Sequence, residues 1–228
     1  MNFKIHSLLI LLLLTSTTVF AQLKTITPGS SFTKVKVSTG LFVEIKTGSD
    51  ESKIEVKGTE RNKVNVQLKD EELQLSLPIG QIFSEAEILV TVFTKEIEEL
   101  KARSGSEVEF ISEVKQDQLS LIASEGSYIG GRLQVKNLEI RAVTGASISL
   151  IGEASTSTAE VKTGGTFDGE NLATTTTNVK VSFGGEALVS AYETCSASVN
   201  GGGNISIYGN PETLSQNVKL GGNIRVIE

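Results

Sequence analysis

The chain nearly lacks the side chains that carry most enzyme chemistry: its 228 residues hold one His, one Met, one Cys and no Trp. His6 and Met1 both fall in a stretch, residues 1–21, that reads as a secretory signal peptide. Lys4 precedes the apolar core SLLILLLL, and Val19 and Ala21 stand where a signal peptidase inspects the chain. That core is too short to span a membrane, and no Cys follows it, which argues against a lipoprotein anchor. A mature chain beginning at Gln22 contains no His, Met or Trp. The commonest general base, the commonest neutral metal ligand and every Ser-His or Cys-His relay are then excluded. Cys195 has no partner for an internal disulfide and is expected to be a buried packing thiol. Loss of Lys4 leaves 20 basic against 27 acidic residues, a net charge of −7, so nucleic acid is a poor partner. Phosphate-loop and dinucleotide motifs are missing, and no Pro-rich linker divides the chain.

What the chain does have is a repeated phrase. Glycines at 105, 126, 145, 164, 184, 202 and 221 are separated by 21, 19, 19, 20, 18 and 19 residues, a period of about twenty. Three residues before them stand Ala102, Ala123, Ala142, Val161, Val181, Val199 and Val218. Three residues after them stand Val108, Ile129, Ile148, Phe167, Ala187, Ile205 and Ile224. Apolar residues two apart on both sides of a glycine corner mean short strands, and glycine takes the positive φ of a sharp turn without a Cβ penalty. Such coils cannot bury their apolar side alone, but stacked copies can, paired in parallel at about 4.8 Å. The expected fold is all-β, a right-handed single-stranded β-helix (β-solenoid) with about twenty residues per coil. Handedness follows from parallel crossover connections.

Residues 22–31 read as an extended lead-in and 32–228 as one solenoid domain, irregular over 32–100 and regular over 100–228. Gly40 already fits the template, with Val35 and Val37 before it and Val43 and Ile45 after it. Between Gly40 and Gly105 the strands SKIEVKG, KVNVQL, LQLSLP and EILVTVF alternate well. Their turns are charged and irregular, so two or three degenerate coils are expected, with a hairpin at KDEE. In TKEIEELKA (94–102), Leu100 and Ala102 occupy inward positions, which favours strand over helix.

Function would have to lie on the outward positions. Residues two and four before the corners include Arg103, Arg141, Lys162, Lys180 and Lys219. Those after the corners include Glu107, Glu109, Asp168 and Glu186. The two faces meeting at the glycine edge should therefore differ in sign. The basic strip reads as a docking surface for an anionic glycan or lipid headgroup, or as a solvated face whose like charges are interspersed to avoid repulsion. Clustered carboxylates near Asp168, Glu170 and Glu186 raise the alternative of a polysaccharide lyase or hydrolase on a β-helix. The glycine-rich calcium-binding repeat is missing, however, and no long loop builds a cleft. No catalytic residue, metal ligand or cofactor is assigned. Asn204-Ile205-Ser206 matches a glycosylation sequon inside a strand.

Three segments carry a family resemblance: GGGNISIYGNPETLSQNVKLGGNIRVIE (201–228), FTKVKVSTGLFVEIKTG (32–48) and ARSGSEVEF (102–110). Together they resemble the head GIN domain family of exported, Gram-negative-type auto-transporter adhesins, over residues 32–228. The resemblance implies a β-helical solenoid, a periplasmic or cell-surface location, and no established enzymatic activity, cofactor or functional residues. The expected role is a non-enzymatic binding, adhesion or envelope-scaffold module. Its expected partners are a cell-envelope glycan, another envelope protein, or a second copy meeting the exposed strand edges of the solenoid ends.

Overall fold

The computed structural model describes residues 23–78 and 88–227; the signal-peptide reading at 1–21 lies outside them. The chain forms a β-solenoid of about seven turns with coils of about 19 residues. Its regular part consists of five long strands that wrap round the coil: β9 (Glu107–Ser124), β10 (Tyr128–Val143), β11 (Ser147–Lys162), β12 (Thr166–Ser182) and β13 (Gly185–Asn200). Each pairs in parallel with the next, one coil out of step in sequence. The last coils are β14 (Gly203–Tyr208), β15 (Thr213–Lys219) and β16 (Asn223–Val226). β14 and β15 both stack on β13, and β16 stacks on β14.

Stacking puts like on like. Ala142, Val161, Val181, Val199 and Val218 are consecutive register partners, and the first four are buried. Val218 keeps the register but is 47% exposed, because no described strand lies beyond it. Cys195 is buried as expected, in a ladder running Leu119, Leu138, Ser157, Thr177, Cys195, Leu214. Two inward positions held by glycine are filled from beside them. A Cβ on Gly131 would stand 2.6 Å from the Phe110 side chain, and one on Gly169 2.6 Å from the Phe167 ring.

The corners are tighter than a lone glycine requires. Two consecutive residues take positive φ at each, for example Thr163 (53°) with Gly164 (69°) and Phe183 (51°) with Gly184 (78°). The corner amides form their own ladder: Gly105, Gly126, Gly145 and Gly164 donate to the carbonyls of Glu125, Thr144, Thr163 and Phe183 at 3.0 to 3.3 Å. Backbone groups that a free turn would leave to water are thereby satisfied coil to coil.

The region before residue 100 departs from stacking in chain order. β2 (Lys34–Ser38) and β3 (Phe42–Lys46) make one coil around Gly40, while β6 (Glu72–Ser76) and β7 (Leu89–Phe93) make a second that follows it in sequence. That second coil lies on the far side of the first, because β2 pairs with β6 and with β8 (Glu99–Ala102), and β3 pairs with β7 and with β9. The other strands run antiparallel: β1 (Leu23–Ile26) on β4 (Lys53–Lys57), β4 on β7, and β5 (Asn65–Lys69) on β6. The degenerate part thus holds two coils, stacked out of chain order and closed by antiparallel strands, and the hairpin expected at KDEE forms where Asp70 and Glu71 both take positive φ (49° and 63°).

Candidate functional site

The glycine corner divides the outward residues as the sequence indicates, but the register splits the basic ones. Arg141, Glu160 and Lys180 are consecutive partners on one ladder. Arg103, Lys162 and Lys219 belong to the neighbouring ladder, where Ser124, Val143, Ser182 and Asn200 stand between them. Acids then close on the bases. Arg141 meets Glu160 through Nε at 2.7 Å and Nη2 at 2.5 Å; Lys162 pairs with the same carboxylate. Arg103 meets Glu125 at 2.6 Å. These partners hold both carboxyls below the ordinary range: Lys162 first and then Arg141 for Glu160, Arg103 and then Ser104 for Glu125. Lys180 and Lys219 carry no such pair among the described residues. Two carboxylates thus partner three of the five cations, which breaks the basic strip at Glu160 and Glu125.

The acidic positions separate as well. Glu107 partners Tyr128 and Phe42, while Glu109 partners Gly130 and Glu44. The Glu109 carboxylate lies over Gly130, where a Cβ would meet it at 2.7 Å. Burial raises the Glu109 carboxyl above its ordinary value; a hydrogen bond from Tyr128 opposes this and the Glu107 charge adds to it. Asp168 sits opposite Ser149 and Leu188, and Glu186 opposite Thr166 and Asn204. Asp168 accepts a hydrogen bond from the Glu170 backbone N–H at 3.3 Å. The structure places Asp168 and Glu186 on adjacent coils but in different ladders, so they do not face each other as an acid and base pair.

The concavity that crosses most coils was missed in the sequence. It is a groove of about 610 Å³ on the side away from the glycine corner, where β9 to β13 bend. Its floor is Val135, Ala154 and Thr174, each no more than 5% exposed, and Thr174 donates to the Ser190 carbonyl at 2.7 Å. Around it stand Lys115, Gln116, Asp117, Gln134, Lys136, Glu153 and Tyr192, with the Tyr192 side chain 53% exposed. Lys136 meets Asp117 across adjacent coils at 2.9 Å. The groove carries planar amides, both signs of charge and one aromatic ring, contributed in steps of one coil. The sequence signal is mixed: the eighth to twelfth residues after each corner interleave polar side chains with Val114, Val135, Ala154, Leu172 and Cys195. It was obscured because the ladders slip at this bend, between Gly131 and Leu133, Ser149 and Gly152, and Gly169 and Ala173.

A parallel coil stack with glycine corners defines a repeat-built β-solenoid. Residues 31–211 match the family described as "Putative auto-transporter adhesin, head GIN domain", and the chain belongs to that family. Solved structures share the fold. A putative adhesin from Bacteroides fragilis is 19% identical, with 90% of this chain and 97% of that one covered at a TM-score of 0.78. A putative adhesin from Parabacteroides merdae is 20% identical, covering 91% and 96%, at 0.70. A putative lipid binding protein from Parabacteroides distasonis is 14% identical, covering 91% and 96%, at 0.69. Comparison with curated proteins finds no match.

Proposed function

We propose that this chain is an exported, non-enzymatic adhesion or binding module of the cell envelope that holds an extended glycan along the groove opposite its glycine corner. One observation carries the reading: the groove spans five successive coils, with Lys115, Gln134 and Glu153 as consecutive register partners and the exposed Tyr192 beside a buried floor. Polar side chains stepping from coil to coil at ~4.8 Å suit a polymer of hydroxylated units, and an exposed ring supplies an apolar platform with a polar tip. The descriptions of the family and of the solved structures support a binding role in general terms. The broken basic strip makes Arg103, Arg141, Lys162, Lys180 and Lys219 a weaker docking surface than the groove. The separated ladders of Asp168 and Glu186 weigh against the polysaccharide lyase or hydrolase alternative.

Glycan-array binding of the processed chain tests this. Tyr192→Ala and Gln134→Ala should each weaken binding at least tenfold, about 1.4 kcal/mol, while Lys162→Glu with Lys180→Glu leaves it unchanged. The reverse pattern would return the site to the basic strip. Absence of binding to any glycan would retire the proposal.

A further inference from the structure

The two ends of the solenoid are built differently. At one end the outermost strands, β1 and β5, run antiparallel to their neighbours. At the other, β15 and β16 pair on one side only among the described residues, with β13 and β14. Their outer edges leave backbone N–H and C=O groups unpaired over strands of seven and four residues. The internal column opens there: Val218 is 47% and Val226 39% exposed, whereas Val199 and Ile207, their partners one coil in, are buried. Beside this face, Leu220 at the corner is 88% exposed. An apolar face bordered by unpaired strand edges is a template for further strand pairing.

From this end face we infer that it binds the same face of a second copy, about a two-fold axis through the Gly221 corner. The axis lays β15 of one copy antiparallel on β16 of the other. With the two Gly221 residues facing, positions equidistant from the corner meet. Val218 then faces the second copy's Ile224 and Gln216 its Val226, so the two columns join. Lys219 faces the second copy's Asn223, and Arg225 its Asn217. No two cations are opposed, which is the self-complementarity an isologous contact demands. Joining the open end to the opposite end of another copy fits worse. The charged residues of β1 and β5 are Lys24 and Lys69, so that contact would bring Lys219 and Arg225 against like charges, and it would not close.

Sedimentation equilibrium of the processed chain, from about 1 μM to about 1 mM, tests the inference. The expected result is a reversible monomer–dimer equilibrium that stops at the dimer, with β15 and β16 amides gaining exchange protection as concentration rises. Val218→Lys with Val226→Lys should weaken the dimer at least tenfold without lowering the melting temperature, because both positions are exposed in the monomer. Leu23→Lys, at the other end, should change nothing. A monomer across the whole range overturns the inference. So does assembly that continues past the dimer, or that responds to Leu23→Lys and not to the valine pair.

Discussion

Gly164 and Gly165 stand side by side in one corner for different physical reasons. Gly164 has φ of +69° and open space where a Cβ would go. Gly165 has no such φ, but a Cβ there would lie 2.3 Å from the Ala142 carbonyl oxygen. Gly164→Ala should therefore cost about 1 kcal/mol through backbone strain, and Gly165→Ala about 3 kcal/mol through overlap with fixed backbone. Urea denaturation of the two variants measures both; equal losses would mean one cause acts at both sites. The position after the corner shrinks along the chain, from Ser106 and Ser127 through Ala146 to Gly165, Gly185, Gly203 and Gly222. The serines are accommodated because their hydroxyls donate to carbonyls, Ser106 to Arg103 and Ser127 to Ala102, both at 2.8 Å. Inside the column, Cys195 is buried and its thiol is pushed up to about 11 by desolvation. A thiol reagent that needs the thiolate should leave it untouched in the folded protein and modify it in urea; modification at the same rate in both would mean that the coil opens readily. Ser157 Oγ is buried without a hydrogen-bond partner among the described residues. An unpaired hydroxyl costs free energy, so Ser157→Ala should leave stability unchanged or raise it by up to about 1 kcal/mol, and a clear loss in the same denaturation assay would show that the hydroxyl is bonded.

Between strands, the register decides which charges are spent. Glu160 is lowered by Lys162 and Arg141, so its stabilising share is full above the ordinary carboxyl value of 4.5 and is lost as pH falls through the lower folded value. Glu109 is raised, so its contribution runs the other way: it favours the fold in acid and loses that effect as pH rises through its folded value. Glu160→Gln should flatten the loss of stability in acid while costing less than about 1 kcal/mol at neutral pH. Glu109→Gln should make the protein more stable at neutral pH than the parent. Melting temperatures measured from pH 3 to pH 8 (about the span over which these carboxyls titrate) check both; parallel curves for parent and variants would refute the assignments. Glu160 stands four residues before Gly164, as Arg141 and Lys180 stand four before Gly145 and Gly184, so the acid within the basic row was legible in the sequence; its ion pairs with Arg141 and Lys162 were not. The hairpin at KDEE and strands β4 to β7 were legible, because turn chemistry and alternation are local. Their placement was not, since nothing in β6 records that it will stack on β2 from outside.

For the molecule as a whole, each coil touches only its neighbours, so the same residue has a different worth at the centre and at the end. The twenty-residue period and inward column were readable because the five regular coils repeat one contact. The exposed strand edges of the solenoid ends followed from the same stacking, whereas the groove was not readable, since a register slip leaves no mark on a template. Val161 and Val218 hold one template position, yet Val161 is fully buried and Val218 is 47% exposed. Val161→Ala should cost about 2 kcal/mol by leaving a hole between packed coils, and Val218→Ala less than about 0.5 kcal/mol in the dilute monomer. Hydrogen exchange should follow the same gradient, with amides of β10 to β12 opening only in global unfolding and those of β15 and β16 opening locally. If the end strands were instead protected as strongly as the centre in dilute solution, the fold would be a single cooperative block, and the open end would have to be closed by something other than a second copy.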